Sequence, residues 1–326
     1  MNGFLRVPAF ALAIMLALAA VLPGPAQAQA FPAKPVRLVV PFPPGGATDI
    51  IGRLLGQKLQ ELWGQPVVIE YKPGGSTVVG TDFVAKSPPD GYTMGIVITA
   101  HVINPSMRAD LPYNTIRDLA GVSMVAVSHI ALVATPGLEA NTVPELVALA
   151  KRNPGKLTYA TPGTGTAMHL AGELLKSLAA IDIVHVPYKG GAPASVDVMS
   201  GRVALQIDPM YASMANVKAG KLKLLAIASP QRAPTVPEVP TIAETFPGFS
   251  VMSITGVVVP GATPRDIVSK ASIDINRALG AADLVERMGQ HGMEPSGTTP
   301  AQFDAFIRTE IEKWSKVVKA SGAKLD

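Results

Sequence analysis

The sequence predicts an α/β protein in which parallel sheets are wound by helices. Three observations carry this. Short β-rich runs alternate with amphipathic stretches along the chain. Several strand candidates end in a Gly- or Thr-rich turn that opens a helix. The 326 residues, 48% hydrophobic and 16% charged, suffice for about two domains with large buried cores.

Val36 to Phe42 reads as the first strand, and Pro43-Pro44-Gly45-Gly46 turns the chain into a helix from Thr48 to about Trp63. Ile50, Ile51, Leu54, Leu55, Leu59 and Leu62 share one face of that helix. Val67 to Glu70 is a second strand, and Pro73-Gly74-Gly75-Ser76-Thr77 leads into a helix near Val79 to Lys86. Asp90-Gly91 turns into a strand from Thr93 to Thr99. A second unit begins near Ser128 to Pro136. In it Thr142-Val143-Pro144-Glu145 has the spacing of a capping box. Strand Lys156 to Ala160 meets Thr161-Pro162-Gly163-Thr164-Gly165-Thr166 and a helix to about Ala179. Strand Ile183 to Val186 meets Pro187-Tyr188-Lys189-Gly190-Gly191 and a helix to about Ser200. Val203 to Ile207 and Leu222 to Ala228 are further strands. Gln231 to Pro240 is a Pro-rich connection, and Thr255 to Val259 returns to strand character. The C-terminal portion is helical, opened at Thr299-Pro300-Ala301-Gln302 by a second capping box. Its stripe of Phe303, Phe306, Ile307, Ile311, Trp314, Val317 and Val318 has the spacing of core packing.

Met1 to Ala30 has the layout of a secretory leader. Arg6 precedes an apolar run from Phe10 to Leu22, Pro23-Gly24-Pro25 breaks it, and small residues follow around Ala28 and Ala30. A leader over 1–28, with Ala30 as the alternative cleavage point, predicts an exported protein. The apolar run is short for a bilayer span. Net charge is +4, from 28 Lys and Arg against 24 Asp and Glu. With no basic run and 5% aromatics, this excludes a nucleic-acid footprint. Zero Cys removes disulfides, thiolate nucleophiles and Cys-ligated metal.

Four turns carry the chemistry: Pro44 to Thr48, Gly74 to Thr77, Thr161 to Thr166 and Tyr188 to Ala192. Each would present free backbone amides and the positive end of a helix dipole, with hydroxyls alongside. Converging, they would hold an anion without Lys or Arg; singly, each is an ordinary βα turn. They match neither the phosphate loop G-x-x-x-x-G-K-[ST] nor the dinucleotide G-x-G-x-x-G. The five His show no H-E-x-x-H motif and no i, i+4 pair, so neither metal nor cofactor is expected. His169 either faces the pocket or packs its helix. Asp208 either caps the next helix or projects into a cleft, and Tyr188 lends a hydroxyl or walls the cleft.

Motifs run collinearly through the chain: Pro41-Phe42-Pro43-Pro44-Gly45-Gly46-x-x-Asp49, Pro88-Pro89-Asp90-Gly91-Tyr92-Thr93 and Asn153-Pro154-Gly155-Lys156-Leu157. After them come Gly163-x-Gly165-Thr166-x-x-His169-Leu170, His185-Val186-Pro187-Tyr188-Lys189-Gly190 and Pro237-x-Val239-Pro240-Thr241. This pattern closely resembles the Bug family, the periplasmic receptors of tripartite tricarboxylate transporters. The resemblance implies a type II periplasmic-binding-protein fold, two helix-flanked α/β lobes joined by a hinge. It divides the chain into lobe 1 over 31–128 plus 250–326 and lobe 2 over 129–249. It also implies a small carboxylate ligand held by amides, hydroxyls and bridging waters. Carried over residue by residue, the first-lobe cradle is Phe42, Gly45, Gly46 and Thr48. The second-lobe contacts are Thr161, Gly163, Thr164, Gly165, Thr166, His169, Tyr188 and Asp208. Gly75, Ser76, Thr77, Thr99, His101 and Ser128 complete the candidate site. The chain departs from the family at Tyr71-Lys72-Pro73-Gly74-Gly75-Ser76-Thr77, where the family usually reads Asn-x-x-Gly-Ala-Gly-Gly. It departs again at Ala204, usually acidic, and at Ile254, usually Trp.

The implied role is capture of the carboxylate by closing lobes, as a monomer, for delivery to separate integral-membrane permease subunits. Two other readings stay open. One is a secreted hydrolase using Ser76 or Thr166 with His169 or His101. The other is an orphan or sensor receptor with no transport role.

Overall fold

The first strand, β1 (Val36–Val40), buries every residue except Arg37. A strand covered on both faces reads as an apolar run, and β1 pairs in parallel with β2 (Val67–Tyr71) and β3 (Thr93–Ile98). Helices α1 (Ala47–Trp63) and α2 (Val78–Ala85) make the two crossovers. α1 buries Ile51, Leu54, Leu55 and Leu59, as its periodicity predicts. It stops at left-handed Gly64, whose N–H donates to the Gln60 carbonyl. The computed structural model describes residues 31–321, and from Lys34 onward the chain forms one compact unit. The expected leader lies outside the described residues.

Two elements carry no clear sequence signal. Helix α3 (Ala100–Met107) is short, contains Pro105 and buries His101 and Asn104 beside Val102 and Ile103, which blurs its apolar period. Strand β4 (Leu119–Ser128) buries polar Ser123, whose hydroxyl bonds the backbone at Met124 and Thr298. Strand β10 (Ser253–Pro260) lies between β3 and β4, antiparallel to both, and short β11 (Glu294–Pro295) closes the far edge. The order of this six-stranded sheet is β11-β4-β10-β3-β1-β2.

The second sheet has the order β7-β6-β8-β5-β9. Its strands are β5 (Ile130–Ala134), β6 (Thr158–Thr161), β7 (Val184–Pro187), β8 (Leu205–Pro209) and β9 (Lys223–Ile227). Its helices are α4 (Val143–Arg152), α5 (Ala167–Ala179), α6 (Gly191–Met199) and α7 (Met210–Lys218). β6 runs parallel to β7 and β8, whereas β5 is antiparallel to β8 and β9. The expectation of parallel sheets is therefore corrected, because both are mixed. Strands joined by helical crossovers run parallel. The exceptions include β5 and β10, on which the chain arrives from the other sheet. Each sheet with its helices forms a lobe, and the chain passes between them at His129 and again between β9 and β10.

The rest of the chain covers the first sheet with α8 (Arg265–Leu279), α9 (Ala282–Gln290) and α10 (Pro300–Ser321). Phe303, Ile307 and Trp314 of α10 are buried, so the C-terminal stripe is core. The Thr299–Gln302 capping box forms in both directions. The Thr142–Glu145 box forms by half. Thr142 Oγ1 accepts from Glu145 N–H, but the Glu145 carboxylate accepts from Asn141 N–H instead.

Candidate ligand cleft

The β2–α2, β3–α3, β6–α5, β7–α6 and β8–α7 connections border a cavity of about 450 Å³. Five helices begin there: α2 just after Ser76 and Thr77, α3 at Ala100, α5 at Ala167, α6 at Gly191 and α7 just after Pro209. Each helix start leaves amides without intrahelical acceptors and carries roughly half a positive charge. The lining holds the hydroxyls of Ser76, Thr77, Thr99, Thr164, Thr166 and Ser253, and no Lys, Arg or His. Asp208 is its one carboxyl. Such a cavity attracts an anion through amides and dipoles alone.

The first-lobe cradle is held from behind by Asp49. This buried carboxylate accepts from Gly45 N–H at 2.8 Å, Arg53 Nε at 2.8 Å and the Tyr71 hydroxyl at 2.6 Å. Burial alone would raise its pKa, but the three donors outweigh it and keep the carboxyl below its usual range. The β2–α2 turn has left-handed Gly75, Ser76 and Thr77, with φ of 55°, 54° and 77°. Ser76 and Thr77 thus adopt a backbone conformation that glycine takes without strain. The Asn104 amide donates to the Ser76 carbonyl at 3.0 Å and holds the turn in place.

In the second lobe, Thr166 caps α5. Its Oγ1 accepts from His169 N–H at 3.2 Å and donates to the Gly163 carbonyl at 2.7 Å. His169 Nδ1 accepts from Gly165 N–H at 3.2 Å, and its ring stacks on His185 with centroids 4.1 Å apart. His185 Nε2 meets Thr161 Oγ1 at 2.7 Å. Burial lowers both imidazole pKa values, His185 to about 4, so each ring stays neutral behind the loop.

Of the residues singled out from the sequence, Phe42, Ser76, Thr77, Thr99, Thr164, Gly165, Thr166 and Asp208 line the cavity. Gly45 and Gly46 lie beyond Phe42 in the β1–α1 turn, Thr48 in the first turn of α1, and Gly75 and Gly163 in the β2–α2 and β6–α5 turns, all outside that lining. Thr161 and His169 are buried beneath it. Tyr188 donates its hydroxyl to Asp197 at 2.7 Å. His101 sits in the core, 1% exposed, with neither ring nitrogen hydrogen-bonded, and burial lowers its pKa to about 4. Ser128 pairs with Ser253 across β4 and β10, and Ser253 is the one that reaches the cavity. The sequence reading missed Ser253, Tyr211 and Ala212. The Gly190-Gly191 turn was legible, but its place in the wall was not. Asp208 is the penultimate residue of β8 and does not cap α7.

Among the described residues no hydrogen bond joins the Ser76 or Thr166 hydroxyl to the ring of His169 or His101. The Thr166 proton goes to a backbone carbonyl, the His169 ring accepts from an amide, and His101 is sealed in the core.

Two lobes with mixed sheets and a dipole-lined cleft between them define the class of two-lobed solute-binding proteins. The family described as the tripartite tricarboxylate transporter family receptor matches residues 51–323. The chain is 38% identical over 305 residues to protein BugT of Bordetella pertussis, covering 93% of this chain and 94% of that one. It is 39% identical over 291 residues to a protein of Pseudomonas sp. strain P51 encoded between tcbD and tcbE, covering 89% and 87%. Among solved structures, an adipate-bound protein of R. palustris aligns at 35% identity and TM-score 0.76, over 90% of this chain and all of that one. The malate-bound MatC of Rhodopseudomonas palustris aligns at 29% identity and TM-score 0.71, over 88% of this chain and 100% of that one. The chain belongs to the Bug family of tripartite tricarboxylate transporter receptors.

Proposed function

We propose that the protein captures a small organic carboxylate between its lobes and delivers it to a tripartite tricarboxylate-type permease. The observation that carries this is a cleft where five helices begin and no basic side chain lines the wall. Backbone amides in a closed, water-poor site make strong charge-assisted hydrogen bonds to a carboxylate. Relatives that hold adipate and malate support the ligand class. The contacts we assign are Phe42, Ser76, Thr77, Thr99, Thr164, Gly165, Thr166 and Asp208, with the Gly45-Gly46 turn closing over the ligand.

Lobe 1 comprises 31–128 plus 250–326, and lobe 2 comprises 129–249. The two strands that cross near His129 and Ser253 form the hinge. The protein works as a monomer in the periplasm after removal of its leader, and separate membrane subunits supply the pore. Ligand shifts the population toward the closed form that those subunits recognise.

Titration calorimetry with straight-chain mono- and dicarboxylates of three to six carbons tests this reading. We expect saturable binding of at least one acid, and a melting temperature that rises with its concentration. Binding only of neutral sugars or cations, or of none of the acids, overturns it.

A further inference from the structure

Asp208 is an unusual residue to find in an anion site. It is 1% exposed, lines the cavity and is the one carboxyl there. Its Oδ2 accepts from the Ser213 hydroxyl at 3.3 Å, and its Oδ1 is buried with no hydrogen-bond partner. No cation forms an ion pair with it among the described residues. Gly191, at the start of α6, covers it. A Cβ on Gly191 would stand 2.6 Å from Oδ1, so only glycine fits against the carboxyl there. A buried carboxylate oxygen without a donor is costly, and a structure keeps one where something outside the protein supplies the donor.

We infer that Asp208 is a specificity-determining residue, and that the cleft selects carboxylates that also carry a hydrogen-bond donor, a hydroxyl or an ammonium, which Asp208 Oδ1 accepts. This inference rests on the carboxylate-receptor reading and adds to it the second functional group of the ligand. The helix N-termini take the acid, and Asp208 takes the donor. An acid without a donor leaves Oδ1 unsatisfied, and a second carboxylate placed there meets like charge. Burial already raises the Asp208 pKa to about 7, against which the Ser213 hydroxyl alone works. An acid lacking a donor is therefore bound with Asp208 protonated, at additional cost near neutral pH. Tyr211, which lines the same cavity, has its own pKa raised by burial and by Asp208, so it stays a neutral phenol.

The test is calorimetry at pH 7.5 with matched acids: succinate against malate and aspartate, and butanoate and hexanedioate against their hydroxy- and amino-substituted forms. In the wild-type protein at least one donor-bearing acid should bind about tenfold or more tightly than its unsubstituted partner. The hydroxy and amino arms tell which donor is read. Asp208→Leu, close in volume and without an acceptor, should reduce that preference to within about threefold while the protein remains folded. Equal binding within every pair, or a preference that survives in Asp208→Leu, overturns the assignment but leaves the carboxylate receptor standing. A loss of melting temperature in Asp208→Leu with the ranking unchanged makes Asp208 a structural support of α6 and also overturns it. Failure of every acid to bind removes the receptor reading, and this inference with it.

Discussion

The Tyr71 phenol donates to Asp49 Oδ1 at 2.6 Å, tying the end of β2 to the carboxylate that holds Gly45. Tyr71 opens the segment at which the sequence departs from the expected family pattern, and this bond gives it a bracing role. The side chain braces the neighbouring turn from behind and does not enter the cleft lining. Arg53 completes the arrangement, bonding both Asp49 Oδ1 and the Tyr71 hydroxyl.

Tyr71→Phe removes one of three donors from a buried carboxylate. It should cost about 1 kcal/mol in chemical denaturation and weaken acid binding severalfold through a looser Gly45 turn. Asp49→Asn should do more to affinity than Tyr71→Phe, since it also weakens the bond from Gly45 N–H. Unchanged affinity in both variants would show that the turn holds its shape without Asp49.

Ser76 sits at φ 54° with an exposed side chain. Ser76→Gly should raise stability by about 0.5–1 kcal/mol, because the left-handed conformation then carries no Cβ penalty. Ser76→Ala keeps the strain and should bring no gain. Denaturant midpoints of the three proteins check this.

Thr166→Ala removes the cap of α5 and the bond to Gly163 together. We expect about 1 kcal/mol of lost stability, read as a lower melting temperature, along with weaker ligand binding. Thr166→Ser should restore both, because the hydroxyl alone does the capping. Weaker binding at full stability would instead assign the hydroxyl to the ligand only.

Acid should destabilise the fold through His101. Burial holds its folded pKa near 4, against about 6.5 in the unfolded chain. The unfolded state therefore binds the proton first. Stability is complete above pH 6.5 and falls as pH drops toward 4, by on the order of 3 kcal/mol for this residue. His185, also held near 4 by burial and by His169, adds to the slope in the same direction. Denaturation at pH 7, 5.5 and 4.5 measures the loss. His101→Leu should flatten the profile by about one proton.

What the sequence determined by itself was local. The β1–α1 and β6–α5 units, the Thr299–Gln302 cap and the α10 stripe follow from apolar period, turn residues and neighbours within about four positions. The collinear motifs that identified the family are connecting turns, some opening helices, as at 41–49 and 163–170, and some leading into strands, as at 88–93. Tertiary structure decided which of those turn residues are free to meet a ligand. Thr161 is taken by His185, whereas Thr99 accepts from the amide of Ile254, 155 residues away, and keeps its own proton to donate into the cavity. His101 is buried by packing that no local pattern encodes, and the mixed sheets arise where the chain crosses between lobes. Burial and hydrogen-bond partnership are properties of residues that meet only in the fold, so Asp208 could be seen in the sequence as a strand end but not as a carboxyl with an unpartnered oxygen.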